Sequence, residues 1–147
     1  MTVRKIKENE LDKLISLYEH LHDDDIEIDK GTSEKIWQDI LNDDSLVYFV
    51  IEQDDLLVSS CNLTVIPNLT RGGQSIALIE NVVTHSEYRN KGLGKTIIET
   101  AVDYAKSKNC YKVMLLSSSK RVDAHRFYET LGFSSEDKIG YVKKLTI

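Results

Sequence analysis

Long apolar runs are missing from this sequence. No segment approaches the ~18 apolar residues that a membrane span requires, and the opening stretch MTVRKIKENELDK has no apolar core of a secretory leader. These absences predict a soluble, unprocessed chain with no membrane partner. Cysteine is scarce as well. The 2 present, Cys61 and Cys110, each lie inside an apolar stretch, which argues against a disulfide framework and predicts buried free thiols in a reducing compartment, the cytoplasm. Positive charge is in deficit: 19 Lys and Arg face 24 Asp and Glu, for a net charge of -5. A nucleic-acid backbone is held chiefly by surplus cations, so nucleic acid is not expected as a partner. Proline occurs once, at Pro67, and no repeat, low-complexity tract or linker breaks the chain.

What is present suits one globular domain over residues 1–147, 41% of them hydrophobic, able to bury roughly 70% of its unfolded surface. Residues 2–6 alternate weakly as a first strand. Asn9 is placed to cap a helix with apolar positions Leu11, Leu14, Ile15, Tyr18 and Leu21. An acidic loop over 23–29 follows, closed by Gly31, and Thr32 or Ser33 is placed to cap a second short helix through Ile36, Trp37, Ile40 and Leu41. SLVYFVIEQ and LLVSSCNLTVI flank Asp54 and Asp55 and predict an antiparallel hairpin. Residues 74–84 form another strand, and Leu93, Ile97, Ile98, Ala101, Val102, Tyr104 and Ala105 give a following helix a broad apolar face ended by Asn109. YKVMLL is the next strand, VDAHRFYETL a helix closed by Gly132, and residues 140–147 a last strand. The order β-α-α-β-β-β-α-β-α-β describes a mixed α/β or α+β sheet protein rather than a doubly wound one.

RNKGLGKT, residues 89–96, lies between a strand and a helix, where free backbone N–H groups and the helix dipole can face an anion. Three kinds of fold use such a turn. A nucleotide hydrolase loop needs glycine where Arg89 stands, and no strand ending in Asp follows to hold magnesium. A dinucleotide fingerprint needs a third glycine where Ile97 stands, and an earlier place in the chain. R-x-x-G-x-G does fit, through Arg89, Gly92 and Gly94. The N–H groups of Asn90, Lys91, Gly92, Leu93, Gly94 and Lys95 can point at a pyrophosphate, with local positive charge from Arg89, Lys91 and Lys95.

VVTHSEYRNKGLGKTIIETAV resembles the acetyl-CoA-binding motif of the GNAT superfamily of N-acetyltransferases, and AHRFYETLGF resembles the helix that follows it there, with an FY pair before LGF. The resemblance covers residues 74–133. KRVDAHRFY is also similar to the aminoalkylphosphonate acetyltransferases of that superfamily. What this implies is a GNAT-like, mostly antiparallel twisted sheet of six to seven strands flanked by about four helices. It further implies acetyl-CoA as co-substrate, a small-molecule amine as acceptor and direct attack in a ternary complex, without a metal; a homodimer is compatible with it.

The chemistry asks for particular groups. An amine is mostly protonated at neutral pH and must lose a proton before attacking a thioester. Glu80 interrupts IALIENVV, where a carboxylate has no packing use, and the resemblance implies it as base, directly or through one water. It implies Tyr128 as the acid that meets the leaving thiolate, Phe127 as core or a pantetheine wall, and the N–H groups near Val82 and Val83 as the oxyanion site. Where the family often carries Asn, seven residues before the tyrosine, this chain has Arg121, with Ser117, Ser118 and Ser119 upstream; Ser118 is the coenzyme contact expected there. His20 and His22 lie two apart and point to different helix faces, so no metal is expected there, and His85 and His125 are expected at the surface. The acidic loop is a solvated loop, or an attractor for a cationic acceptor. Two alternatives stay open, a protein N-acetyltransferase and an acyl-CoA-binding sensor without turnover.

Overall fold

Leu57, Val58, Ser59, Ser60 and Cys61 follow one another with almost no exposed surface, and that run marks the middle of a sheet covered on both faces. The computed structural model describes residues 1–22 and 25–146. Five strands lie in chain order across the sheet: β1 (Val3–Lys5), β2 (Leu46–Gln53), β3 (Leu56–Ile66), β4 (Ser75–Thr84) and β5 (Cys110–Met114). The first four pair antiparallel, and β4 and β5 run parallel. Four helices accompany them, α1 (Leu11–Tyr18), α2 (Lys30–Leu41), α3 (Leu93–Ser107) and α4 (Val122–Thr130). By contacts the chain divides into two units, Met1–Met114 and the part from Leu115 onward.

The hairpin expected at Asp54 and Asp55 is present. Both residues sit at positive φ, 54° and 63°, the pair of left-handed positions whose twist matches the flanking strands. The α3 helix buries Leu93, Ile97, Ile98, Ala101 and Ala105, and Tyr104 meets Phe49 of β2 edge-on at 5.5 Å. Asn109, at φ 58°, takes the left-handed step that ends the helix. The α1 side of the sheet is filled by Leu14, Leu17, Trp37, Tyr48, Val50, Leu57 and Val83. The indole of Trp37 donates to the Glu8 carbonyl at 2.8 Å and so satisfies its one buried donor.

Three expectations are corrected. Asn9 lies inside a short 3-10 turn, Glu8–Glu10, rather than capping α1. The second helix begins earlier than Thr32: the Asp29 carboxylate accepts the Thr32 N–H at 3.0 Å and its hydroxyl at 2.6 Å, which makes Asp29 the cap and leaves Gly31 inside the helix. An ionised cap gains from the helix dipole as well as the hydrogen bond, and wins over the hydroxyls downstream. Among the described residues, 140–146 form no strand, so the sheet has five strands rather than six or seven. Tyr141, Val142 and Leu145 are all exposed there. Strand propensity becomes a strand only where an edge and a buried face are supplied. Asp23 and Asp24 of the acidic loop, and Ile147, lie outside the described residues. Cys61 is buried and Cys110 only half-buried; both are free, and burial pushes the Cys61 thiol up to about 12. Among the described residues no helix is long and apolar enough to cross a membrane.

One ion-pair network ties the first strand to the hairpin. Arg4 on β1 makes a bidentate pair with Glu10 at 2.7 and 2.8 Å and reaches Glu52 on β2 at 3.1 Å, while Lys13 on α1 bridges Glu52 and Asp55, both at 3.0 Å. The Glu10 carboxyl is held down at about 2 by the Arg4 hydrogen bonds, with burial opposing and the Lys7 backbone N–H helping. Its folded value lies below the unfolded one, so its stabilisation is complete above the ordinary carboxylate range and is lost as pH falls towards 2. Glu10→Gln is expected to destabilise the fold at pH 7 by about 3 kcal/mol and to flatten stability between about pH 5 and pH 2. Urea titrations of both proteins across that range provide the check.

Candidate active site

Strand β4 changes company half way along. It pairs with β5 from Ser75 to Leu78, and beyond that point, among the described residues, only with β3. The β3 ladder itself slips there: Asn62 faces Glu80 and Ser60 faces Val83, so two steps on β3 answer three on β4. Asn81 is the extra residue, at φ 52°, a left-handed conformation that asparagine tolerates better than most side chains. The bulge bends the strand immediately before Val82 and Val83, the expected oxyanion donors. The Val83 side chain is buried in the α1 cluster, and its carbonyl accepts from the Ser59 hydroxyl at 3.1 Å. Glu80 stands exposed on the near side of the bulge. Its cross-strand neighbour Asn62 is in turn opposite Tyr48 on β2, and cross-strand neighbours share a sheet face. Burial pushes the Tyr48 hydroxyl up, against a hydrogen bond from Asn62.

After β4 the chain makes a 3-10 turn, Ser86–Tyr88, and then the glycine turn. Asn90 sits at φ 63° and Gly92 at φ 80°, a conformation in which a Cβ would be strained although nothing crowds it. The first helical bond of α3 runs from the Thr96 N–H to the Gly92 carbonyl at 3.1 Å. The N–H groups of Leu93, Gly94 and Lys95 therefore have no acceptor within the helix, and the positive end of its dipole lies at the same place. This is the geometry of an anion site built from backbone.

The side chains around the turn mostly brace it. Arg89, expected to lend charge to an anion, donates Nε to the Thr84 carbonyl at 3.2 Å and Nη2 to the His20 carbonyl at 3.1 Å, which clamps the turn to the end of β4 and the chain beyond α1. Lys91 lies over the Tyr88 ring at 5.2 Å, and the Tyr88 hydroxyl donates to Asp54 at 2.7 Å. Lys95 stands 4.0 Å from Glu99 on the exposed face of α3. His85 is half-buried rather than a plain surface residue, stacked 4.0 Å from His20 and accepting the Glu87 N–H at 3.1 Å. Burial and the neighbouring His85 and Arg89 push the His20 imidazole down.

In the second unit, α4 carries Phe127 and Tyr128 side by side, with ring centroids 5.2 Å apart, and Tyr128 also meets Phe133 at 6.1 Å. The Phe133 N–H returns to the Tyr128 carbonyl at 3.1 Å around Gly132, whose φ of 91° is the left-handed turn expected of it. The Ser118 carbonyl receives the Arg121 N–H at 3.1 Å and lies 2.7 Å from His125 Nε2, which folds the 117–121 stretch back on the start of α4. Arg121 itself is exposed. Asn62 and Asn81 escaped the sequence reading. Their signal was visible as polar breaks in two β-rich runs, but which break aims a side chain and which kinks a strand is decided by register.

The chain belongs to the GNAT family of acetyltransferases: the profile of the Acetyltransferase (GNAT) family matches residues 14–133. It is similar to glucosamine 6-phosphate N-acetyltransferase of Trypanosoma brucei brucei, 43% identical over 82 residues, a match covering 56% of this chain and 54% of that protein. The chain thus spans about half the length of that relative. A solved structure from Agrobacterium tumefaciens str. C58, provisionally described as an acetyltransferase, superposes with a TM-score of 0.92 at 33% identity over 98% of this chain and 99% of the other. Glucosamine-6-phosphate N-acetyltransferase from Arabidopsis thaliana superposes with a TM-score of 0.86 at 27% identity over 99% and 98% of the two chains. The fold is the mixed α+β fold of these neighbours.

If Arg89 braces the turn, Arg89→Met, which keeps the aliphatic stem and removes the donors, should speed amide hydrogen exchange across residues 86–92 and leave the β2–β3 ladder protected. Unchanged exchange in the turn would remove the bracing role.

Proposed function

We propose that this chain transfers an acetyl group from acetyl-CoA to the amine of a small-molecule acceptor, acting as one domain. The observation that carries the proposal is the R-x-x-G-x-G turn, with N–H groups at the head of α3 that have no acceptor within the helix, soon after a strand that beyond Leu78 has, among the described residues, no β5 partner. The match to the family profile runs through both units, which supports treating residues 1–147 as a single domain. Two of the similar proteins act on glucosamine 6-phosphate, so an amino sugar phosphate is the first acceptor to try.

In the proposed reaction the coenzyme pyrophosphate rests on the N–H groups of Leu93, Gly94 and Lys95, with Asn90, Lys91 and Gly92 shaping the approach and Arg89 holding the turn. Glu80 takes the proton that the acceptor ammonium must lose. The freed nitrogen bonds to the acetyl carbon, and the carbonyl oxygen gains charge beside the N–H groups near Val82 and Val83. The C–S bond then breaks, the coenzyme thiolate takes a proton from Tyr128, and the nitrogen gives up its second proton to solvent to leave a neutral amide; Tyr128 regains a proton from solvent as Glu80 releases its own. Phe127 and Ser118 are assigned to the pantetheine and coenzyme contacts.

A thiol-release screen with amino sugar phosphates, amino sugars, polyamines, aminophosphonates, amino acids and peptides tests the proposal. Turnover with a small amine is expected, and neither thermal stabilisation by acetyl-CoA nor turnover with any member would overturn it. Tyr128→Phe should lower kcat about a hundredfold with acetyl-CoA affinity nearly intact. Glu80→Gln should shift or abolish the rising limb of the pH–rate profile, and a wild-type profile would dismiss it as base.

A further inference from the structure

Asn62 holds a debt that the unliganded fold leaves open. Its side-chain oxygen Oδ1 is buried and, among the described residues, accepts no hydrogen bond. The same amide meets the Tyr48 hydroxyl, its cross-strand neighbour on β2. Buried polar atoms are nearly always paired, and an unpaired amide oxygen costs more than an ordinary hydrogen bond returns. The position is also particular. Asn62 is the direct cross-strand neighbour of Glu80, one step before the Asn81 bulge, so the two side chains rise from the same face of the sheet. Tyr48 is buried, Asn62 half-buried and Glu80 exposed, a polar row graded from the core outward.

We propose that Asn62 is an acceptor-contact residue, whose amide oxygen takes a hydrogen bond from the ammonium or amine of the acetyl acceptor while Glu80 faces the same nitrogen. The assignment rests on the acetyl-transfer reading above. It requires an acceptor amine, primary or secondary, that keeps a hydrogen for Asn62 after one is lost to Glu80 and the lone pair is used in attack. A tertiary amine cannot satisfy the oxygen and present a lone pair at once. The donor approaches from the Glu80 side of the row, where the surface is open. Tyr48, which touches neither the amine nor Glu80 in this account, is a positioning residue that holds the amide.

The test uses Asn62→Leu, a swap of similar size that removes the unpaired oxygen. The swap also removes the amide that meets the buried Tyr48 hydroxyl, so the variant should melt somewhat lower than wild type, yet it should bind acetyl-CoA with the same Kd. Its kcat/KM for the best amine of the screen, glucosamine 6-phosphate being tried first, should fall about ten- to a hundredfold, the worth of one hydrogen bond to a charged group. Asn62→Asp, which keeps the oxygen, should retain more of the amine kcat/KM than Asn62→Leu. Wild-type kcat/KM in Asn62→Leu overturns the assignment. So does a loss of acetyl-CoA affinity in step with the loss of activity, since that marks a purely structural residue. Should Asn62→Leu not fold, Asn62→Ser is judged by the same measures. A wild-type protein that turns over no amine sinks the acetyl-transfer reading itself, whereas a wild-type enzyme indifferent to residue 62 sinks only this inference.

Discussion

A sheet gains most by keeping every backbone group in its ladder, and β4 gives up part of that gain. It pairs on both sides as far as Leu78, and beyond it, among the described residues, keeps β3 alone. The bulge at Asn81 then spends a left-handed residue to offset the two strands by one position. These two departures have a common effect. Among the described residues they leave the β5-side edge of β4 without a strand partner beyond Leu78, and they reorient the side chains on either side of the bulge, so that Val83 enters the core while Glu80 remains outside it. The cost is tolerable because β3 beneath is so thoroughly packed. Ser59 and Ser60, buried in its middle, return their hydroxyls to the Val83 and Phe49 carbonyls and reinforce the ladder where it is irregular.

The glycine turn depends on the same strand. Its anchor points are the Thr84 carbonyl at the end of β4 and the His20 carbonyl beyond α1, both claimed by Arg89. The Tyr88 hydroxyl adds a third tie, to Asp54 in the tip of the β2–β3 hairpin. A turn held to three separate elements presents its N–H groups in a fixed direction, which is what an anion site made from backbone requires, since no flexible side chain adjusts to the ligand. The network from Arg4 through Glu10, Glu52, Lys13 and Asp55 fixes the other side of the hairpin, so the hairpin tip is secured from both directions.

How much of this could be read from residues alone follows from the range of each interaction. Local rules served well where geometry is local: the Asp54-Asp55 hairpin, the apolar face of α3, the left-handed endings at Asn109 and Gly132, and the glycine turn itself. They failed where competition decides. Asp29 outcompetes Thr32 and Ser33 as a cap only once its carboxylate is seen to reach the Thr32 N–H. Residues 140–146 have strand-forming side chains but no ladder among the described residues, because propensity does not supply a partner. Arg89 was visible as a cation near a phosphate turn, yet its fork is fully legible only when the Thr84 and His20 carbonyls are placed within its reach. Asn62 is the clearest case. One polar residue in a β-rich run says nothing until register puts it between Tyr48 and Glu80.

The charge balance of the turn bears on how an acidic protein would hold a polyanion. Of the three cations near it, Arg89 is committed to carbonyls, Lys91 lies over the Tyr88 ring and Lys95 is near Glu99. Their charges still add to the local potential, but their donors are partly spent on the protein. In the proposed site, attraction would then fall mainly to the Leu93, Gly94 and Lys95 N–H groups and the dipole of α3, which are short-range and directional. A site of this kind discriminates by shape more than by charge. In the proposed reaction such a turn would favour a compact pyrophosphate that fits it over any polyanion that merely approaches it, which would reconcile a net charge of -5 with a phosphate-bearing co-substrate without a basic surface.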